Sequence, residues 1–351
     1  MAKIMLLLAC LLMISCEWKD TSMPHSITRT INGFTVISDS MNISIEGYGV
    51  DGLIFKDKYY IQFDVSGTVG EVAFDFEYEN KFYIIDKTGS IINAITSPKN
   101  IGNYDNLHVR HDSVIAKANY GDAAAYYLNE PKQKWAAIKS VDDAIFEDED
   151  YHVTSLDFGE WGGSTWFRDK KTGLEYVAEI ITPEIREING AYYLISQRSI
   201  DVIAEPKKLL KAGRDYRNII VGQEQGDMLH VFMARPHKNY EGIGIKNIYK
   251  SETNEWDDSI LILASFAHNG VLYVFVQEDK RTYIAQPADG KLKEVVDMKD
   301  ELHLVNRRNY RNISHRNNYL FSQGKPNCFG IMEIKNDTIY LHYINNTPPK
   351  K

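Results

Sequence analysis

A recurring hairpin is the feature that most constrains how this chain folds. Each copy has an apolar strand, a short polar turn and a second strand that contains aromatic or branched residues. The copies lie at residues 53–61, 109–115, 185–195, 265–275 and 313–321. Two of them turn at Asn189-Gly190 and Asn269-Gly270, and Asn-Gly accepts the positive φ angles of a two-residue type I′ turn. The pattern therefore predicts antiparallel hairpins, in a chain whose 22 Tyr and 14 Phe residues also favour strands.

A second hairpin recurs between the copies of the first. Its turn is typified by Asp-Lys-Thr-Gly at residues 86–89. Copies of it lie at residues 83–92, 127–135, 166–176, 203–209, 248–256, 284–292 and 332–340. Their turns centre near residues 88, 131, 171, 206, 253, 289 and 336, which gives a mean spacing of about 41 residues. Two hairpins in each repeat predict one four-stranded sheet per repeat.

This four-stranded repeat resembles the unit of the β-propeller superfamily, whose blades recur every ~40–50 residues. The resemblance covers roughly 300 residues and rests on the pattern alone, because no Gly-His…Trp-Asp pair accompanies it. We predict an all-β domain over residues 30–346 with about seven four-stranded blades, and six or eight blades stay open. The strand at residues 31–37 is predicted to complete the last blade. A pair of tandem β-sandwiches is the alternative, although no linker rich in Pro, Gly or Ser divides the chain.

The first residues have the layout of an export signal. Lys3 precedes an apolar run at residues 4–14, which is too short for the ~20 residues of a membrane-spanning helix. The run ends at Met13-Ile14-Ser15-Cys16, which resembles the lipobox of bacterial lipoproteins. That resemblance implies that residues 1–15 are a signal peptide, that Cys16 carries lipid, and that residues 16–29 form a flexible tether. A buried N-terminal helix is the alternative.

Cysteine usage and net charge agree with export and lipid attachment. Cys10 would leave with the leader and Cys16 would carry lipid, so Cys328 has no partner for a disulfide and is interpreted as a small buried hydrophobic residue. The net charge of −8 at pH 7 argues against general nucleic-acid binding. We therefore expect a body tethered to a bacterial cell envelope by lipid. The outer membrane is favoured because Glu17, rather than Asp, follows the cysteine.

An unusual stretch at residues 157–167 supplies the first candidate site. Trp161 and Trp166 flank a Gly-Gly-Ser-Thr segment, and Asp157 and Glu160 lie just before it. Tryptophan rings are suited to stacking on a sugar, with the carboxylates accepting its hydroxyls. Carboxyl groups ~5–9 Å apart would also permit glycoside hydrolysis, which makes Asp157 and Glu160 the alternative catalytic pair. Packing of both tryptophans between sheets is the competing interpretation.

A basic stretch at residues 306–316 supplies the second candidate site. Arg307, Arg308, Arg311 and Arg316 occur there without an intervening acid. Guanidinium groups bind carboxylates and phosphates through paired donors, so Arg307, Arg308 and Arg311 are predicted to contact an acidic ligand. The competing interpretation is that these arginines point outward and pair with acids of a neighbouring sheet.

No recognised catalytic motif occurs in the chain: neither H-E-x-x-H, G-x-S-x-G nor a P-loop is present. We therefore predict a lipid-anchored binding or interaction module of the cell envelope, with a glycan or an envelope protein as its partner and no cofactor or metal. The alternative is a carbohydrate-active enzyme, a glycoside hydrolase or lyase, because propellers assemble sites from several blades in ways that spacing does not reveal.

Overall fold

The computed structural model describes most of the chain after residue 25, and within that part the strands form six sheets. The described residues are 26–65, 80–98, 101, 106–110, 112–117, 125–138, 144–157, 163–211, 244–252, 260–299, 301–304, 318–323, 327–335 and 338–349. The sheets are called blades 1 to 6 in chain order, and the sheet that the two N-terminal strands share with the last four strands is counted as blade 6.

Blades 1 to 3 come from the first half of the chain, after a short N-terminal hairpin. The hairpin is β1 (Ile27–Ile31) and β2 (Phe34–Ile43). Blade 1 contains β3 (Tyr48–Phe55), β4 (Lys58–Asp64), β5 (Asn80–Ile85) and β6 (Ile91–Thr96). Blade 2 contains β7 (Asn106–Arg110), β8 (Ser113–Lys117), β9 (Ala125–Asn129) and β10 (Lys134–Ile138). Blade 3 contains β11 (Ala144–Glu147), β12 (Tyr151–Asp157), β13 (Gly163–Asp169) and β14 (Glu175–Ala178).

Blades 4 to 6 have the same arrangement, except that one short strand between the last two strands of blade 4 joins blade 3. Blade 4 contains β15 (Glu184–Ile188), β16 (Ala191–Ile195), β17 (Ser199–Ile203) and β19 (Ile245–Lys250). Between its last two strands the chain forms β18 (Leu210–Lys211), which pairs with β14 of blade 3. Blade 5 contains β20 (Ile260–His268), β21 (Val271–Glu278), β22 (Arg281–Ala288) and β23 (Lys291–Asp297). Blade 6 contains β24 (His303–Leu304), β25 (Asn318–Ser322), β26 (Cys328–Lys335) and β27 (Thr338–Asn346), with β2 and β1 added.

The hairpin turns adopt the conformations that their sequences predict. Asn189 and Gly190 have φ angles of 53° and 79°, and Asn269 and Gly270 have 50° and 73°. Both residues of each turn are thus in the left-handed region, as a type I′ turn requires. Lys56 turns in the same way between β3 and β4, with a φ of 48°. The predicted hairpins at residues 53–61, 185–195 and 265–275 are confirmed.

Hydrophobic clusters between neighbouring blades hold the sheets together. Among the described residues, buried clusters join blades 1 and 2, 3 and 4, 4 and 5, 5 and 6, and 6 and 1. In the last of these, Ile331 and Ile344 of blade 6 and Ile61 of blade 1 are fully buried. Because blade 6 packs on blade 1, the sheets close into a ring and the protein is a six-bladed β-propeller over its described residues.

The two ends of the chain complete the ring in blade 6. Strand β2 pairs in parallel with β27, from Thr35 opposite Thr338 to Ile43 opposite Asn346. The N-terminal part of the chain thus joins the last blade, as predicted, but not as a single strand at residues 31–37. These residues include the turn at Asn32-Gly33 between β1 and β2, and β2 extends the outer edge of a blade that already has four strands. Asn346 fastens the junction, since its side chain accepts a hydrogen bond from Ile45 N–H and donates to the Ile45 and Gly47 carbonyls, each at 2.9 Å.

The predicted β-propeller is confirmed, and among the described residues it has six blades, which is one of the numbers that the prediction of about seven left open. The turn near residue 206 does not begin a new blade, because it lies on the long connection from β17 through β18 to β19. The turn predicted near residue 253 falls beyond the end of β19, outside the described residues. One insertion inside blade 4 therefore produced two apparent repeats. Cys328 also differs slightly from expectation, since this free cysteine is half-buried.

Candidate functional site

Most of the predicted site residues lie outside the part of the chain that the structure describes. These are Glu160 and Trp161 of the first candidate site, Arg307, Arg308 and Arg311 of the second, and the predicted lipidation residue Cys16. Asp157 is the last residue of β12, opposite Gly163 at the start of β13. Trp166 lies in the middle of β13. The stacking, catalytic and lipidation roles of the undescribed residues stay predictions.

Trp166 is a core residue in this structure. It is 1% exposed and lies opposite Thr154 of β12 and Val177 of β14. The next residue, Phe167, packs into the cluster between blades 3 and 4. Since side chains alternate along a strand, Trp166 faces the other side of blade 3, toward blade 2. A ring so enclosed has no free face for a sugar, which agrees with the packing interpretation for this tryptophan.

The strands that flank the two candidate segments belong to two different blades. The first segment joins the end of β12 to the start of β13, which are the second and third strands of blade 3. The second segment joins the end of β24 to the start of β25, which are the first and second strands of blade 6. The described residues of β24 pair with Phe321 and Ser322 at the end of β25, so the end of β24 and the start of β25 do not mark one face of the propeller. Blades 3 and 6 lie three positions apart in the six-bladed ring that the described residues form, so these flanking strands lie across the centre of the ring from each other.

A buried polar cluster that sequence reasoning missed joins three blades on the inner side of the ring. Glu184 and Arg186 lie on β15 of blade 4, Ser265 on β20 of blade 5 and Tyr319 on β25 of blade 6. The Glu184 Oε1 atom accepts hydrogen bonds from Arg186 Nε at 2.9 Å, Ser265 Oγ at 2.6 Å and the Tyr319 hydroxyl at 2.7 Å. Arg186 Nη2 also donates to the Ser265 carbonyl at 3.0 Å. We call these four residues the inner cluster.

Burial and mutual attraction fix the charges of the inner cluster. Burial opposes the charge of Arg186, but Tyr319 and Glu184 outweigh it and raise the pKa of the Arg186 guanidinium. Burial, reinforced by Glu184, raises the pKa of the Tyr319 hydroxyl, which therefore keeps its proton. The cluster thus contains a cationic guanidinium, a carboxylate and two neutral hydroxyl donors. A buried ion pair of this kind is tolerated only when further hydrogen bonds satisfy it, as they do here.

The hydrogen bonds of the inner cluster serve to hold blades 4, 5 and 6 together. Ser265 and Tyr319 are at most 2% exposed, and the donors are directed at a carboxylate of the same protein. The cluster positions the first strands of blades 4 and 5, whose edges line the centre of a propeller. The sequence signal for it is weak, because Glu184 and Arg186 two residues apart on a strand indicate only a shared face.

Four consecutive acidic residues, at positions 147–150, lie at the turn between β11 and β12 of blade 3. Asp148 Oδ1 accepts from the backbone N–H groups of Asp150 at 2.8 Å and Tyr151 at 2.6 Å. Glu147 pairs with Lys170 at 2.7 Å, and Asp150 pairs with Lys171 at 2.7 Å, both on the facing turn of the same blade. These acids cap a turn and bind lysines, and the described residues contain no group of three or more His, Cys, Asp or Glu arranged to hold a metal ion.

By fold, the protein belongs to the six-bladed β-propellers, as far as its described residues extend. No protein-family model and no curated protein matches the sequence. Among solved structures, the chain is similar to the Pyrococcus horikoshii acylaminoacyl peptidase, with a TM-score of 0.32 and 10% identity. The match covers 84% of this chain and 52% of the peptidase, so the chain spans about half of that enzyme's length. Similarity at this level does not transfer an activity.

Proposed function

We propose that the protein is a lipid-anchored binding module of the bacterial cell envelope, with a glycan or an envelope protein as its ligand. The observation that carries the proposal is the closed propeller, a rigid ring on which connections from several blades converge at each face. Parallel pairing of β2 with β27 and the hydrogen bonds of Asn346 make that ring independent of disulfides. Such a scaffold can present loops without rearranging its core.

The proposed anchor attaches to the rim of blade 6. Strand β1, the outermost strand of that blade, begins at Ile27, which is 11 residues beyond Cys16. Eleven extended residues reach at most about 40 Å. A lipid on Cys16 would therefore keep the propeller close to the membrane surface and would leave both of its faces able to meet ligands. The described residues include no helix of the length and apolarity required to cross a membrane.

Metabolic labelling with a fatty-acid analogue tests the anchor. The full-length protein should incorporate the label and sediment with membranes, because the thiol of Cys16 is the proposed attachment site. Cys16→Ser should lose both properties, whereas Cys328→Ser, which removes a half-buried thiol far along the chain, should keep both. An unlabelled wild-type chain that still contains residues 1–15 would contradict the lipoprotein proposal.

A glycan array with matched variants tests the ligand. Trp161→Ala should weaken glycan binding if the tryptophan supplies a stacking surface. The matched control is Tyr127→Ala, which removes an exposed aromatic side chain from β9, outside both candidate sites, and should leave glycan binding unchanged. Pull-down from solubilised envelope with the same variants tests a protein ligand. The proposal fails if neither assay detects a ligand. If the protein cleaves a bound glycan and Glu160→Gln abolishes this activity, the result would favour the alternative, a carbohydrate-active enzyme, over a binding module.

A further inference from the structure

One histidine lies where the two ends of the chain meet. His342 is on β27, directly opposite Asp39 of β2 on one side and Ile331 of β26 on the other. Its ring contacts Tyr59 of β4 at 5.6 Å between centroids, so it lies on the face of blade 6 that packs on blade 1. Only 12% of its side chain is exposed. A change of charge on this ring therefore acts directly on the pairing that completes blade 6.

The two ring nitrogens of His342 face carboxylates from two different strands. Nδ1 lies 2.9 and 3.0 Å from the two side-chain oxygens of Asp39, and it donates to them because a carboxylate only accepts hydrogen bonds. Nε2 is enclosed and has no hydrogen-bond partner among the described residues. It lies 4.0 Å from Oε2 of Glu333 on β26, whose side chain is 9% exposed.

This arrangement favours the charged form of the imidazole. In the neutral ring, Nε2 is a buried acceptor without a donor, and its lone pair faces the Glu333 carboxylate, which is unfavourable. In the protonated ring, both nitrogens carry a proton and each one faces a negative charge. Protonation thus converts a buried unpaired acceptor into a contact between β27 and β26, and it strengthens the existing contact between β27 and β2.

The other titratable groups around the imidazole do not reverse this preference. Lys335 Nζ lies 2.8 Å from Glu333 Oε2 and opposes a second positive charge, but its side chain is 57% exposed and its effect is screened by solvent. Tyr340 stacks on the imidazole of His342 at 5.9 Å between centroids. Burial, reinforced by nearby carboxylates, raises the pKa of Tyr59, so this hydroxyl stays neutral.

We propose that His342 is a pH-dependent link between the N-terminal hairpin and the rest of blade 6. When the imidazole is protonated, it attracts Asp39 of β2 and Glu333 of β26 and holds the three outer strands together. This stabilisation is present in mild acid and is lost as pH rises and the imidazole loses its proton. The inference rests on the described strands alone and does not depend on a lipid anchor.

Hydrogen exchange of the β2 amides, followed by mass spectrometry on the full-length protein, tests the proposal. Wild type and His342→Gln are compared at the same pH, because intrinsic exchange rates then cancel. At pH ~5.5 the β2 peptide, residues 34–43, should exchange about tenfold faster in His342→Gln, which corresponds to the loss of one charge-assisted hydrogen bond. At pH ~8 the two proteins should exchange at similar rates. The imidazole changes charge between these values, whereas carboxyl groups ordinarily titrate below them.

Two further variants serve as a second test and a control. Asp39→Asn keeps the size of the side chain and removes its charge, so it should also increase β2 exchange more at pH ~5.5 than at pH ~8. His303→Gln removes a histidine of β24 that pairs with Glu301 at 2.8 Å away from this site, and it should leave β2 exchange unchanged at both values.

Three results would overturn the proposal. The first is a ratio of exchange rates between His342→Gln and wild type that is the same at both pH values. The second is an equal pH effect in His303→Gln, which would assign the effect to histidines in general. The third is loss of protection at both pH values in His342→Gln and Asp39→Asn, extending to the β21–β22 peptide at residues 271–288, because the two side chains would then support the whole fold irrespective of charge.

Discussion

Removal of the Tyr319 hydroxyl is the sharpest test of how the ring is held together. Tyr319→Phe keeps the ring in the cluster between blades 5 and 6 and deletes only the oxygen. That oxygen donates to Glu184 Oε1 at 2.7 Å and lies 2.7 Å from Arg186 Nη2. The substitution therefore removes the direct polar link of blade 6 to the ion pair of blade 4.

The expected loss follows from the kind of hydrogen bond. Bonds to charged groups contribute about 1.5–3 kcal/mol each, but Glu184 keeps its donors from Arg186 and Ser265, so the net destabilisation should be about 2–3 kcal/mol. Unfolding entropy of ~2.1 cal/mol/K per residue over roughly 300 residues converts this into a fall in melting temperature of about 3–5 °C. Added salt should not restore the loss, because buried pairs are little screened.

Thermal unfolding followed by circular dichroism measures the effect, with Tyr273→Phe as the matched control. Tyr273 packs partly buried against the same cluster, and its hydroxyl makes no hydrogen bond among the described residues. The control should stay within about 0.5 kcal/mol of the wild type. Equal melting temperatures for Tyr319→Phe and Tyr273→Phe would refute the role of the inner cluster as a tie between blades.

Three further substitutions test other parts of the ring by the same measurement. Asn346→Ala should cost about 2–3 kcal/mol, because it leaves the buried backbone groups of Ile45 without their side-chain partners. Burial raises the pKa of Asp201, so the folded state favours the protonated carboxyl group. The stability of the wild type therefore falls as pH rises from the unfolded pKa near ~3.9 through the folded pKa. Asp201→Asn should thus be more stable than wild type at pH ~7 and equal to it at pH ~3. Gly330→Ala should cost about 1–3 kcal/mol, because its Cβ would lie 2.5 Å from the His342 carbonyl oxygen.

Each of these substitutions has a control or a result that contradicts it. Asn345→Ala removes an exposed side-chain contact at 3.2 Å from the neighbouring position and should change stability little. Gly52→Ala, whose Cβ would have no neighbour closer than 3.4 Å, should be tolerated far better than Gly330→Ala. A pH-independent difference between Asp201→Asn and wild type would show that ionisation of Asp201 does not affect folding.

Local turn chemistry made the hairpins predictable. Asn-Gly at residues 189–190 and 269–270 specifies a backbone conformation through its own two residues, so the prediction needs no knowledge of the rest of the fold. The repeat length followed from the spacing of such turns. The number of blades depends on contacts between residues that are far apart in the chain. The chain leaves blade 4 at β18, which pairs with β14 of blade 3, and it returns to blade 4 only at β19. An insertion of this kind imitates an additional repeat.

The inner cluster was beyond prediction for a related reason. Arg186 and Ser265 are 79 residues apart in the chain, and Glu184 and Tyr319 are 135 apart. Nothing near either residue in the sequence indicates its partner, because the contact exists only when the ring has closed. Trp166 shows the limit of local sequence in another way. Its neighbourhood left a binding role and packing between sheets both open, and only its position on β13 shows that the side chain is buried in the core.

The attachment of the two candidate segments to different blades leads to a last prediction. The first segment joins strands of blade 3 and the second joins strands of blade 6, and these blades lie across the centre of the six-bladed ring that the described residues form. Sites so far apart should not share a ligand contact, and their energies should add within about 0.5 kcal/mol. If a ligand is found, the combined Trp161→Ala and Arg308→Ala variant should therefore bind it as the sum of the single effects predicts. A coupling energy above ~1 kcal/mol in that double-mutant cycle would contradict this prediction, because it would mean that one ligand contacts both segments across the ring.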